Sequence, residues 1–421
     1  MSIIDDKKFI WHPLTQHQIH PNNIVIKKAK GAILYDENNN EYIDAIASWY
    51  TCMYGHCNPY ITSMVSKQMQ NLDHVVFTGF THEPATKLAK ALIHILPENQ
   101  RKLFFSDNGS TSVDVAIKMA LQFHYNQGDK RNKIIAFENG FHGDTFGAMS
   151  VSGLSVYNGP FKDFSLDVER IPVPNDSNID EVKKQFIDLT SKGNVAAFVY
   201  EPLVQGAAAM KMHKAEHLND LLKIAKDYSV ITIADEVMTG FGKTGKNFAS
   251  EFMTQLPEII CLSKSLTGGL VPMAITSCSE HVYNAFLGPN MEKGFFHGHT
   301  YSTNPTSCTA ALASIELLNT VEIQESIKRI KDSHKTFISR IDKHPKVKST
   351  RQQGIIMAID FNIETDRYGD LRFKLFDFYM SKGVYLRPLG NTVYVLAPYI
   401  ISEEQLSKTY NAIEESFELI E

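Results

Sequence analysis

The chain has 421 residues, 43% of them hydrophobic and 21% charged, with a formal net charge of −5. That length and balance suit an ordinary globular protein of one large and one smaller domain, and they give no electrostatic reason for a nucleic-acid or anionic-membrane partner. The first residues, MSIIDDKKFIWHP, place acids and lysines where an export signal needs an apolar core. No run approaches the ~18 apolar residues of a spanning helix, and five scattered cysteines read as free thiols of a reducing compartment. The expectation is a soluble, cytoplasmic protein.

In chain order, AILYDENNNEYIDA (32–45) reads as a hairpin with an Asn-rich turn. From about residue 80 strands and helices alternate. THEPATKLAKALIHIL carries Leu88, Ala91, Leu92 and Ile95 at helical spacing, and KLFFS (102–106) reads as a buried strand. The next segment, from Ser110, predicts a helix with Gly128 just beyond its end. KIIAFEN (133–139) is a further strand, followed by helical segments up to a strand at NVAAFVYEP (194–202). A helix over 215–228 leads into SVITIADEV (229–237), then come strands IICLSK and MAITSC and a helix from about Thr306 to Thr320. Short apolar strands between helices predict an α/β layer with a mostly parallel sheet. QQGIIMAIDF, GVYLRPL and TVYVLAPY, set among amphipathic helices, predict a smaller α+β unit that packs with the N-terminal hairpin. The expected division is 1–46 with 321–421 as the small domain and 47–320 as the large one.

Three strand ends carry polar residues that an apolar setting makes costly. KLFFS is followed by DNGSTS, which puts Gly109 and Ser110 at a helix start, where free N–H groups and the dipole favour an anion. SVITIA is followed by Asp235, and IICLS by Lys264. Taken singly, Ser110 is a helix cap, Asp235 half of an ion pair, and Lys264 a side chain that snorkels outward. Together, at one edge of one sheet, they meet the needs of pyridoxal phosphate: a helix N-terminus for phosphate, a carboxylate for the pyridine nitrogen, and an amine for the aldehyde. Three other motifs carry less. GFGKTGKN (240–247) fits a phosphate loop except for Asn247, where Ser or Thr is needed for magnesium. CMYGHC and HGH lack a second pair at zinc spacing, so no metal is expected.

These motifs have a family likeness. ASWYTCMYGHCNP, FFSDNGSTSVDVAIKMALQ, NGFHGDTFGAMSV, YEPLVQGAAAM, ADEVMTGFGKTGKNFA, CLSKSLTGG and HGHTYSTNP resemble the class III aminotransferases, fold-type I enzymes that use pyridoxal phosphate. The likeness runs nearly end to end, and IWHPLTQ, SWY and YLRPLG are most similar to the branch serving biotin biosynthesis. The resemblance implies a seven-stranded-type sheet and a homodimer with its site at the subunit interface. It implies Lys264 as the cofactor-bearing lysine, Asp235 as partner of the ring nitrogen, Gly109 and Ser110 as phosphate ligands, and Phe141 stacked on the ring. Thr300 would reach the phosphate from the second subunit, with Gly298 near the substrate. Trp49 would wall the substrate pocket and Arg387 would clamp a carboxylate, a task suited to a guanidinium fork. Glu201, in EPLVQG, is a further carboxylate of the motif. The implied reaction moves an amino group onto 8-amino-7-oxononanoate, giving 7,8-diaminononanoate. Leu14 and Phe141 stand where Tyr is common, and Lys243 where Arg is common. These departures leave the donor open between S-adenosylmethionine and lysine. Another class III reaction on ω-amino acids or diamines, or an aminomutase, is the alternative.

Overall fold

The computed structural model describes residues 3–19, 23–153 and 158–420. Near the N-terminus β1 (Ile26–Lys30), β2 (Ile33–Asp36) and β3 (Glu41–Asp44) form an antiparallel meander. The Asn-rich turn closes on Asp36, whose carboxylate accepts from the N–H groups of Asn38 at 2.9 Å and Asn40 at 2.8 Å. Asn39 takes the left-handed conformation at φ 63°, one that Asn tolerates better than most residues.

The central sheet uses β4 (Gln100–Ser106), β5 (Lys133–Phe137), β6 (Val168–Ile171), β7 (Val195–Tyr200), β10 (Ile231–Asp235), β11 (Ile259–Leu262) and β12 (Ala274–Ser279). A two-residue ribbon, β8 (Val204–Gln205) with β9 (Lys211–Met212), lies between β7 and β10 in the chain. The spatial order is β4-β12-β11-β10-β7-β5-β6, and β12 alone runs against its neighbours. Every residue of β7, β10, β11 and β12 is buried. Helices cover the sheet, Gly109–Asn126 lying against β11 and β12 and Ala215–Asp227 against β10. Cover on both faces explains why these strands read as continuous apolar runs without alternation. β6 lies within a stretch expected to be helical. It is an edge strand of only four residues, VERI, with one buried position, so no apolar run marks it.

Predicted helices appear with their expected punctuation. Gly109–Asn126 ends before Gly128, which sits at φ 76°. The helix expected from Thr306 spans Pro305–Leu318, opened by Asn304 accepting from Ser307 N–H. Thr320 instead caps the following helix, Val321–Ile341. In the C-terminal part β13 (Val347–Gln353), β14 (Ile356–Phe361) and β16 (Thr392–Val395) form an antiparallel sheet. β15 (Val384–Tyr385) leaves that sheet and pairs in parallel with β3, Val384 opposite Ile43 and Tyr385 opposite Asp44. The expected association of the N-terminal hairpin with the C-terminal part is therefore a main-chain pairing.

Candidate active site

In the central sheet, β7, β10 and β11 are parallel and in register, with Tyr200 beside Ala234 and Asp235 beside Cys261. Their carboxyl ends consequently release Glu201, Asp235 and Lys264 at one edge, the side on which open α/β sheets bind ligands. A cavity of about 1120 Å³ opens there, lined by those three residues and by Gly109, Ser110, Phe141, Trp49 and Arg387. Eight residues singled out in the sequence thus meet in one space. Gly298 and Thr300 do not line it; both are exposed on a separate segment.

Lys264 opens a short 3-10 turn, Lys264–Thr267, at φ 49°. The Gly pair after it has a structural reason. Gly268 and Gly269 take φ 64° and 82°, and a Cβ on Gly269 would lie 2.6 Å from Cys52 Sγ. The turn thereby packs directly on the segment that follows Trp49. Burial drives the Lys264 amine below the ordinary lysine range, partly offset by Asp235 and Glu201. Its Nζ lies 5.3 Å from the centre of the Tyr50 ring. Burial, reinforced by the Asp235 charge, pushes the Glu201 carboxyl well above the usual carboxylate range. Glu201 accepts from Phe141 N–H at 3.4 Å through Oε1, while Oε2 is buried with no hydrogen-bond partner among the described residues.

Asp235 is held by two donors. Its Oδ2 lies 2.8 Å from His142 Nδ1, and its Oδ1 accepts from Val237 N–H at 3.1 Å. The pairing makes Nδ1 the protonated nitrogen of His142, whose Nε2 is buried with no hydrogen-bond partner among the described residues. His142 was not singled out in the sequence, although the residue beside it, Phe141, was. At the helix start, Asn108 accepts from Thr111 N–H, leaving the Gly109 and Ser110 N–H groups at the cavity wall. Ser110 Oγ accepts from Thr145 N–H at 2.9 Å and lies 2.7 Å from Thr145 Oγ1. Gly143 permits this: at φ 128°, its Cβ would lie 2.3 Å from Ser110 Oγ.

The substrate-side wall comes from the β3–β15 pair. Arg387 follows β15 by two residues, and its guanidinium carbon lies 4.9 Å from the centre of the Trp49 ring. Trp49 itself belongs to four consecutive left-handed residues, Ala47, Ser48, Trp49 and Tyr50, at φ 47°, 45°, 66° and 70°. None is glycine, and each carries a cost of about 1–2 kcal/mol in that conformation. Arg367, Tyr368, Arg372 and Phe373 complete the wall and went unnoticed in the sequence, where they sit in and beside the helix Leu371–Ser381. Of the departures, Leu14 does line the cavity. Lys243 is fully buried, donating to Gly240 C=O at 2.8 Å and to Ser265 Oγ. Burial, then the neighbouring Lys264 charge, drives its amine well below the ordinary range. The loop 240–247 is no phosphate loop, since the motif's lysine, Lys246, is exposed and donates to Glu251 C=O at 2.8 Å, and a 3-10 turn of four residues follows it.

Residues 14–417 match the family model of aminotransferase class III. The chain belongs to the class III aminotransferases. It is 40% identical over 413 residues to the adenosylmethionine-8-amino-7-oxononanoate aminotransferase of Synechococcus elongatus, covering 96% of this chain and 97% of that one. It is 35% identical over 410 residues to the enzyme of that name from Staphylococcus aureus, covering 92% and 91%. The crystal structure of the enzyme of that name from Methanocaldococcus jannaschii superposes with a TM-score of 0.94 at 31% identity, covering 100% of this chain and 99% of that one. An amine transaminase from an uncultivated Pseudomonas species, solved in its PLP-bound form, shares the fold with a TM-score of 0.92 at 24% identity. The fold is that of the fold-type I transaminases, and the aminotransferase's cofactor is pyridoxal 5′-phosphate. The cavity fits that group: a helix N-terminus for a dianion, an oriented carboxylate, an amine disfavoured as ammonium, and two lining residues, Glu201 and His142, that each hold a buried polar atom with no partner among the described residues.

Proposed function

We propose that this aminotransferase converts 8-amino-7-oxononanoate to 7,8-diaminononanoate, a step of biotin biosynthesis, taking the amino group from S-adenosylmethionine or lysine. The observation that carries the reading is the Arg387 guanidinium set over Trp49 in the same cavity as Lys264 and Asp235. It offers a forked cation to a substrate carboxylate at one end and a reactive amine at the other.

Pyridoxal phosphate, when bound, supplies an aldehyde that carries the amino group and a ring that accepts electrons. The side chains do the rest. Gly109 and Ser110 present N–H groups at the positive end of their helix to the phosphate. Asp235, oriented by His142, would hold the proton on the ring nitrogen, and Phe141 would pack on the ring. Lys264 Nζ, already disfavoured as ammonium, would accept the proton from the substrate carbon that bears the amino group and deliver it to the cofactor. Trp49 and Arg387 fix the keto acid, and Gly298 and Thr300 serve the site of the second subunit in a homodimer. The division into 1–46 with 321–421 and 47–320 follows the same reading, as does a cytoplasmic location. Among the described residues no helix is long and apolar enough to cross a membrane.

The test is a pair of half-reactions. The holoenzyme is mixed separately with S-adenosylmethionine, lysine and a panel of ω-amines while cofactor absorbance is followed. The expected result is conversion by one of the first two and reversal by 8-amino-7-oxononanoate. Arg387→Ala should raise the KM for that keto acid by about 10–100-fold, the loss of a charge-assisted hydrogen bond. Conversion by ω-amines alone, with no reversal by the keto acid, moves the chain to an ω-amine reaction.

A further inference from the structure

The left-handed turn at Ala47–Tyr50 has a clamp. Asp44, the last residue of β3, is fully buried and accepts three donors from the turn and its flanks. Ser48 Oγ donates to Asp44 Oδ2 at 2.7 Å, His56 Nε2 lies 2.8 Å from the same oxygen, and Ile46 N–H reaches Oδ1 at 3.4 Å. Ser48 Oγ also lies 3.5 Å from His56 Nε2. His56 is anchored in turn by two main-chain bonds with Gly31, at 2.8 and 3.1 Å. Thr51 Oγ1 donates to Ser48 C=O at 2.9 Å, closing the turn from its other end. Asp44 is opposite Tyr385 of β15, so the strand pair that sets the clamp also sets Arg387. The turn is therefore tied to the substrate wall.

We propose that Asp44, His56 and Ser48 are positioning residues that hold the left-handed turn, and through it the stacking of Trp49 on Arg387, so that they govern recognition of the carboxylate-bearing keto acid. The inference rests on the reading of Arg387 and Trp49 given above. Without a negative charge at Asp44 or a donor at His56, a run of four non-glycine residues relaxes toward right-handed or extended backbone. Such relaxation rotates Trp49 away from Arg387. Asp235 and Ser110 hang from other elements, and the Lys264 turn, which packs on Cys52, is held by its own bonds, Leu266 N–H to Ser263 C=O and Ser314 Oγ to Ser265 C=O.

The chain has two tryptophans, and Trp11 is 90% exposed, so Trp11→Phe makes Trp49 the sole tryptophan. In that background, His56→Ala is compared with its parent as holoenzyme. The expected result is a red-shifted Trp49 emission with stronger acrylamide quenching and a KM for 8-amino-7-oxononanoate raised about tenfold. Cofactor content and the half-reaction rate with saturating donor should stay near parental. Ser48→Ala removes one bond and leaves the Asp44–His56 pair, so it folds even where His56→Ala does not, with the same changes at smaller size. Parental emission and KM in either folded variant overturn the proposal. So does loss of cofactor with KM unchanged, the mark of a merely structural role. A parent that ignores the keto acid overturns the assigned reaction instead, and the Trp49 emission still decides the clamp.

Discussion

A lysine at the end of a strand whose four residues are all buried is an expensive placement for a free ammonium. The surroundings lower that cost by disfavouring the charge: burial dominates the Lys264 amine, and the two nearby carboxylates restore only part of its basicity. An amine in that state is nucleophilic and can accept a proton, the two properties amino transfer requires of it. Lys264→Ala should therefore leave the fold intact, because the turn it opens is held by Leu266 N–H on Ser263 C=O and by Ser314 on Ser265 C=O. Turnover should fall by about 10³-fold or more, with an unchanged circular-dichroism spectrum. Near-normal transamination by that variant would remove Lys264 from the chemistry. Asp235 and Lys264 were legible as residues because each is a charge closing an apolar run. His142 was not, since a histidine in a loop carries no sequence mark of the partner 93 positions away that it meets at 2.8 Å.

At the scale of elements, the same contrast has a physical basis. Strands β7, β10 and β11 could be read because cover on both faces demands unbroken apolar sequence. The edge strand β6 could not, having one buried residue of four. The turn ASWY contains no glycine or asparagine, so nothing local announces a left-handed backbone; tertiary bonds from Asp44 and His56 impose it. The loop at Gly143 lies between these cases, since GFHGD shows a glycine but not what it must approach. There Gly143→Ala would place a Cβ 2.3 Å from Ser110 Oγ and 2.7 Å from Ser110 Cα. With φ at 128° added, the strain should cost about 1–3 kcal/mol and displace the helix start proposed to receive the phosphate. Cofactor retained after dialysis should drop sharply. Gly128→Ala is the control, for it has positive φ as well but open space around its Cβ; it should lose a little stability and no cofactor. Equal cofactor retention in the two variants would mean that the Gly143–Ser110 contact does not shape the phosphate site.

The whole molecule brings two distant parts of the chain to one cavity. Residues near 49 and near 387 meet because β3 and β15 pair in parallel, and both face strand ends from the central sheet. One part of the motif set stays outside: Gly298 and Thr300 are exposed, beside Phe296 and Tyr301, which are 69% and 64% exposed. An apolar, motif-bearing segment on the surface has a natural explanation if it completes the cavity of a second copy. That arrangement has a consequence that a single-chain site does not share. In such a dimer Thr300→Glu should disable phosphate binding by like charge and Lys264→Ala should disable chemistry, so each variant alone should be inactive. Co-expressed under two tags and purified as the mixed dimer, the pair holds one cavity with Lys264 from one chain and Thr300 from the other. If Thr300 acts across the interface, that dimer should recover about half the parental activity, one intact site of two. If Thr300 serves its own chain, both cavities carry a lesion and the mixed dimer stays as inactive as its parents.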